Sequence, residues 1–84
     1  MKIKKINIKM PYMETEGIDF KITVRKWIFN NNDIVKKNDI IAEIENEFAI
    51  LELPAEKSGK ITIIKKEGEF VTVGDTLCTI DVED

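Results

Sequence analysis

IFNNNDIVKKNDIIAEIE, residues 28–45, lies over IKKEGEFVTVGDTLCTID, residues 64–81, when the chain is slid against itself by 36 positions. Ile28 then meets Ile64, Val35 meets Val71, Asn38 meets Gly74, Asp39 meets Asp75, Ile41 meets Leu77 and Ile44 meets Ile80. Asn32 also falls on Gly68 and Asp33 on Glu69. Asparagine stands for glycine twice, which is the exchange expected where the backbone must be left-handed, because Asn tolerates positive φ better than other side-chain-bearing residues. The chain therefore reads as two related halves with matching turns. Two equivalent strand sets, each with one apolar face, bury those faces best against each other, and this predicts a small sandwich or flattened barrel with an internal pseudo-twofold.

Outward from the repeat, apolar residues recur with period two in Ile6, Ile8 and Met10, and again in Ile18, Phe20, Ile22 and Val24. No stretch sustains helical spacing. Further short runs end at Ile44, span Ala49, Leu51 and Leu53, restart at Ile61 and close at Leu77 and Ile80, with turn residues between them. The expectation is an all-β chain of about seven or eight strands in two small antiparallel sheets. Asn30 to Asp33 is a turn too short to separate domains, so residues 1–84 are expected to form one unit.

Composition narrows the chemistry. Of 84 residues, 13 are Lys or Arg and 16 are Asp or Glu, a net charge of -3 with no histidine and one cysteine. A chain this short buries only about 60% of its unfolded surface, enough for one thin core without a second lobe around a cleft. The lack of histidine removes Ser-His and Cys-His nucleophile pairs and His-containing zinc sites. The lone Cys78 removes disulfides and thiolate clusters. Scattered lysines give no basic footprint for nucleic acid, and runs such as Ile61 to Ile64 are far shorter than a membrane span. The N-terminus alternates Lys with Ile, unlike a signal peptide, so a cytoplasmic setting is expected.

Between the halves lies EIENEFAILELPAEKSGKI, residues 43–61, a strand ending near Glu45 followed by one starting near Ala49. If Ala49, Leu51 and Leu53 face inward, then Phe48, Ile50 and Glu52 face solvent, and Phe48 stands at a hairpin tip. Pro54 ends the second strand and Gly59 opens the next element.

These residues resemble a lipoyl domain, the swinging-arm carrier of 2-oxoacid dehydrogenase complexes, and its biotinyl relative. The resemblance covers nearly the whole chain. It rests on Arg25-Lys26-Trp27, on NDIVKKNDIIAEIE in place of the family's GDxVxxGDxLxEIE, on ELPA at Glu52 to Ala55, and on EGEFVTVGDTLCTI near the end. It implies a barrel-sandwich fold and a modified lysine at the tip, ten residues after the glycine of a GD turn and eleven before another glycine. The same distances here run from Asn38 to Phe48 and from Phe48 to Gly59.

At that position the family's ETDKA becomes ENEFA at Glu45 to Ala49. A lipoyl or biotinyl arm is joined through an amide to a lysine amine, and the benzyl side chain of Phe48 has no nucleophile to form it. No lipoyl group or biotin is therefore expected, and no metal is expected at the alternating carboxylates of Glu43, Glu45, Glu47 and Glu52. Lys57 and Lys60 lie beyond Pro54, away from the tip a ligase reads. The segment from Pro11 to Trp27 also holds about two residues more than the family pattern. In the family that loop lies beside the tip.

The expected function is a non-catalytic, lipoyl-domain-like interaction module. Its contact surface comprises Glu47, Phe48 and Ile50 with Met13, Glu14 and Gly17 of the loop. The resemblance implies a partner such as an acyltransferase, a 2-oxoacid dehydrogenase-type component or a biosynthetic enzyme. The alternative is a true lipoyl, less so biotinyl, group carrier that has lost the lysine in this chain. Drift, a repurposed tip and an introduced substitution all account for Phe48 on sequence alone. A monomer is expected, or a weak homodimer paired tip to tip. Trp27 and Cys78 read as packing residues, and Glu43, Glu45, Glu47 and Glu52 as a solvated strand face.

Overall fold

A computed structural model describes residues 2–12 and 21–83. Its frame is set by four turns. Each ends in a carboxylate residue and has a left-handed third residue: Asn32 (φ 74), Asn38 (φ 75), Gly68 (φ 85) and Gly74 (φ 94). Positive φ at the third position together with a bond from the fourth N–H to the first carbonyl is the type II signature. Those bonds run from Asp33 to Asn30, Asp39 to Lys36, Glu69 to Lys66 and Asp75 to Thr72, at 2.9–3.1 Å. In each case the same carboxylate also accepts the first residue's backbone N–H, at 2.7–2.9 Å. The substitution of Asn for Gly in the repeat is thus a backbone requirement, as the sequence implied.

Eight strands hang from these turns: β1 (Ile3–Lys9), β2 (Ile22–Trp27), β3 (Ile34–Val35), β4 (Ile40–Glu45), β5 (Ile50–Pro54), β6 (Gly59–Ile63), β7 (Phe70–Val71) and β8 (Thr76–Glu83). They form two four-stranded sheets, ordered β1-β8-β6-β3 and β5-β4-β2-β7, with antiparallel pairing throughout. Exchanging the halves, β1 for β5 through β4 for β8, converts one order into the other. The pseudo-twofold expected from the repeat is therefore present. The sheets, however, do not each belong to one half. Every sheet takes two strands from each, so the halves interlock instead of stacking, and neither half closes a sheet alone.

Between the sheets lies one apolar cluster containing the repeat pairs Val35 and Val71, Ile41 and Leu77, and Ile44 and Ile80. The first pair of the alignment departs from this pattern, since Ile28 and Ile64 are both exposed. Of the early run, Ile8, Met10, Ile22 and Val24 are buried, whereas Ile18 and Phe20 lie outside the described residues. The alternation predicted for the fifth strand shifts at its start. Leu53 is buried and Leu51 half-buried, but Ala49 is exposed and precedes β5. Its N–H is taken by the Asn46 side chain, so Ala49 closes the turn rather than entering the ladder.

Gly59 opens β6 as expected, for a steric reason. A Cβ there would run into the carbonyl oxygen of Asp81 and stand 2.8 Å from Ile80 Cγ2, whereas one on Gly74 would meet open space. Gly59→Ala is expected to destabilise the protein by about 3 kcal/mol or more through overpacking. Gly74→Ala should lose only about 1 kcal/mol, the strain of a left-handed alanine. Urea denaturation of the two variants checks both the values and their order.

Candidate functional site at the hairpin tip

The β4–β5 hairpin ends in the pair Glu45 and Ile50. Beyond it, Asn46 N–H donates to the Ala49 carbonyl at 3.1 Å. The Asn46 side-chain oxygen accepts the N–H groups of Phe48 (2.8 Å) and Ala49 (2.9 Å). An Asx cap of this kind satisfies the Phe48 and Ala49 donors locally and holds the turn. Glu47 and Phe48 are left at the apex, and Phe48 is 68% exposed. The sequence placed Glu47, Phe48 and Ile50 in one surface, and in the fold all three are exposed together there. Met13, Glu14 and Gly17 lie outside the described residues.

Residues paired directly across an antiparallel sheet share a face. Ile50 pairs with Glu45, Glu45 with Thr23, and Thr23 with Phe70, so one row crosses the outer face of the β5-β4-β2-β7 sheet from the hairpin to its far edge. Ile50 (54%) and Phe70 (62%) are both well exposed. The Lys21 ammonium lies 5.3 Å from the Phe70 ring centroid, within cation–π range. One row inward, Arg25 Nε donates to Glu43 at 2.9 Å, and an Arg25 guanidinium nitrogen lies 3.7 Å from Glu45. Glu52 pairs with Glu43 and is exposed. The surface is thus apolar at the apex and both ends of its row, with carboxylates between.

Sequence reasoning had not singled out Phe70. The signal was available, because Val71 aligns with the inward Val35 and its predecessor must then face out.

Other candidates resolve as structural. Trp27 is half-buried, its indole N–H donates to the Lys65 carbonyl at 2.8 Å, and its backbone N–H donates to the Glu67 carboxylate at 3.0 Å. Among the described residues no three or more Cys, Asp or Glu side chains are grouped to hold a metal ion. Lys60 lies in β6 and Lys57 in the turn before it, outside the tip hairpin.

Two interleaved sheets, with a tight hairpin joining quasi-equivalent halves, make this a barrel-sandwich domain. The family model described as "Biotin-requiring enzyme" (Biotin_lipoyl) matches residues 6–80, and the chain belongs to that family. It is similar to the dihydrolipoyllysine-residue acetyltransferase component of the pyruvate dehydrogenase complex of Bacillus subtilis (strain 168), with 40% identity over 57 residues. That match covers 67% of this chain and 13% of the relative. The same component of Staphylococcus aureus (strain Mu50) is 32% identical over 60 residues, 70% of this chain and 14% of the relative. The chain thus spans a small fraction of the length of these relatives. No helix among the described residues is long and apolar enough to cross a membrane.

Cys78 is fully buried, and burial, reinforced by the negative charge of Glu56, pushes its thiol from 9.0 up to about 12. A thiol this reluctant to ionise is a poor nucleophile. Since the unfolded chain releases this proton first, the stability it contributes is complete below pH 9 and is lost as pH rises towards 12. The expected outcome is no labelling of native protein by a thiol reagent at pH 8, full labelling in denaturant, and a fall of roughly 1 kcal/mol in unfolding free energy by pH 10.

Proposed function

We propose that residues 1–84 act as one lipoyl-type domain that carries no cofactor, catalyses no reaction and works through protein contact at its tip. One observation carries this reading: an exposed phenylalanine, Phe48, occupies the apex of a rigidly capped hairpin in an otherwise complete family framework. The family's arm needs an amine at its attachment position, and we place Phe48 at that position. The apex therefore does not fit a lipoyl or biotinyl group, and no chemistry is routed through one.

An exposed aromatic beside Ile50 on a stiff turn is suited to anchoring in a partner's pocket, where a few such side chains dominate binding energy. Glu47, Phe48 and Ile50 form the centre of the contact. Phe70 extends it, and we assign Met13, Glu14 and Gly17 to its rim. We assign the partner to a dehydrogenase or acyltransferase component of a 2-oxoacid dehydrogenase-type assembly, or to a biosynthetic enzyme that reads lipoyl-type domains; the relatives' membership of the pyruvate dehydrogenase complex supports an assembly of this kind. Such assemblies are cytoplasmic in bacteria, and we assign this chain there.

The second reading, a true group carrier, is favoured by the family and by relatives named for a dihydrolipoyllysine residue. It requires Lys57, Lys60 or another lysine away from the tip to be used.

Three measurements bear on the two readings. Intact mass of protein purified from its native cells, with identification of copurifying proteins, should give the unmodified mass and a reproducible companion enzyme. A lipoyl or biotinyl mass increment would instead establish the carrier. Phe48→Ala should weaken binding to the companion by at least about 1 kcal/mol, and unchanged affinity would refute the anchor. Phe48→Lys, coexpressed with a lipoate ligase, should gain a lipoyl group that the parent chain does not, confirming that only the acceptor residue is missing.

A further inference from the structure

The internal pseudo-twofold gives the tip row a counterpart at the other end of the molecule. Ile34 pairs with Lys60, Lys60 with Asp81, and Asp81 with Lys5, so this row crosses the β1-β8-β6-β3 sheet as Phe70, Thr23, Glu45 and Ile50 cross the other. Phe70 and Ile34 are repeat equivalents, and so are Glu45 and Asp81. The backbone plan is shared while the charge is reversed, with two lysines and one carboxylate replacing a lone carboxylate.

This second row borders an open groove with Ile3, Ile34 and Val82 as its apolar surface. Ile34 is 70% and Ile3 68% exposed, unusual for isoleucines facing solvent. Lys37, Lys57 and Lys60 also line the groove, and Asp81 and Glu83 stand on the β8 side. One carboxylate oxygen, Asp81 Oδ1, is buried without a hydrogen-bond partner among the described residues.

We propose that this groove receives the hairpin tip of a second copy of the chain, giving a weak head-to-tail association. The tip has the complementary features: apolar Ile50 and Phe48 for the isoleucine surface, Glu47 and Glu52 for the lysines, and a short turn narrow enough to enter. Because the two faces differ, the contact is heterologous and repeats along a line of copies without closing into a dimer. A four-residue turn in an open groove buries less than the roughly 1,200 Å² of a standard interface, so the association is transient. It also occludes the tip, making self-association and partner binding mutually exclusive.

Sedimentation velocity from about 10 μM to about 1 mM tests this. The average mass of the parent chain should rise with concentration, less steeply at about 1 M salt, where the Debye length falls to roughly 3 Å. Ile34→Glu in the groove and Ile50→Lys at the tip should each remain monomeric, with circular dichroism confirming the fold. An equimolar mixture of the two should associate again, because one retains an intact tip and the other an intact groove. A parent chain monomeric throughout the range would overturn the proposal. So would self-association lost with Ile50→Lys but kept with Ile34→Glu, the result of pairing tip to tip.

Discussion

Four left-handed turn residues and the backbone bonds around them carry the architecture. Each turn clasps one residue in, or immediately after, another strand with two bonds: the left-handed residue donates to its carbonyl, and its N–H donates to the carbonyl of the turn's acidic residue. The clasped residues are Ile61 for Asn32 and Asp33, Ala55 for Asn38 and Asp39, Val24 for Gly68 and Glu69, and Met10 for Gly74 and Asp75. All four are buried. A single residue therefore supplies both a backbone tie to the turn and an apolar side chain to the core. With one net hydrogen bond contributing about 1 kcal/mol, no clasp is decisive alone. Their effect is to set register, because a turn shifted by one residue would put the carboxylate or the left-handed backbone in the wrong place.

The clasps also explain why two short halves make one cooperative unit. Asn32, Asn38, Gly68 and Gly74 each bind a residue of the other half, and each sheet contains two strands of each half. Neither repeat can bury its apolar face without its partner. Symmetry breaks in two places. Fourteen positions separate Met10 from Val24 and six separate Ala55 from Ile61, so the first half carries the longer connection in sequence. Gly59 and Ile22 also face equivalent partners, Val35 and Val71, yet β6 approaches β8 too closely there for any side chain.

Most of this was legible in the residues. Asn opposite Gly, Asp opposite Asp, and Val and Ile at matching places encode backbone conformation, a local hydrogen bond and burial, which are short-range properties that a linear repeat preserves. What was not legible is relational. The repeat shows that the halves are alike but not that they interlock, because strand order depends on which edges meet. Ala49 was misplaced for a similar reason: periodicity carries a strand back to the turn, while the Asn46 side chain takes the donor that the ladder would have used. At the site, alternation exposed Phe48 and Ile50. Joining them to Phe70 required the register across four strands.

The division of labour between frame and tip follows from where the hydrogen bonds lie. The four clasps and the buried cluster are independent of what stands at position 48, and the tip is held by Asn46 through main-chain donors that every residue except proline provides. Position 48 is therefore held by its main chain, with its side chain mostly exposed. An amine there and a benzyl group there are equally compatible with the same backbone. The chemistry of the surface at the apex can therefore change while turns, sheets and core remain as they are. An intact family fold is for that reason weak evidence for the family's chemistry. The side chain at the apex, and the row of Ile50, Glu45, Thr23 and Phe70 beside it, determine what this molecule can hold.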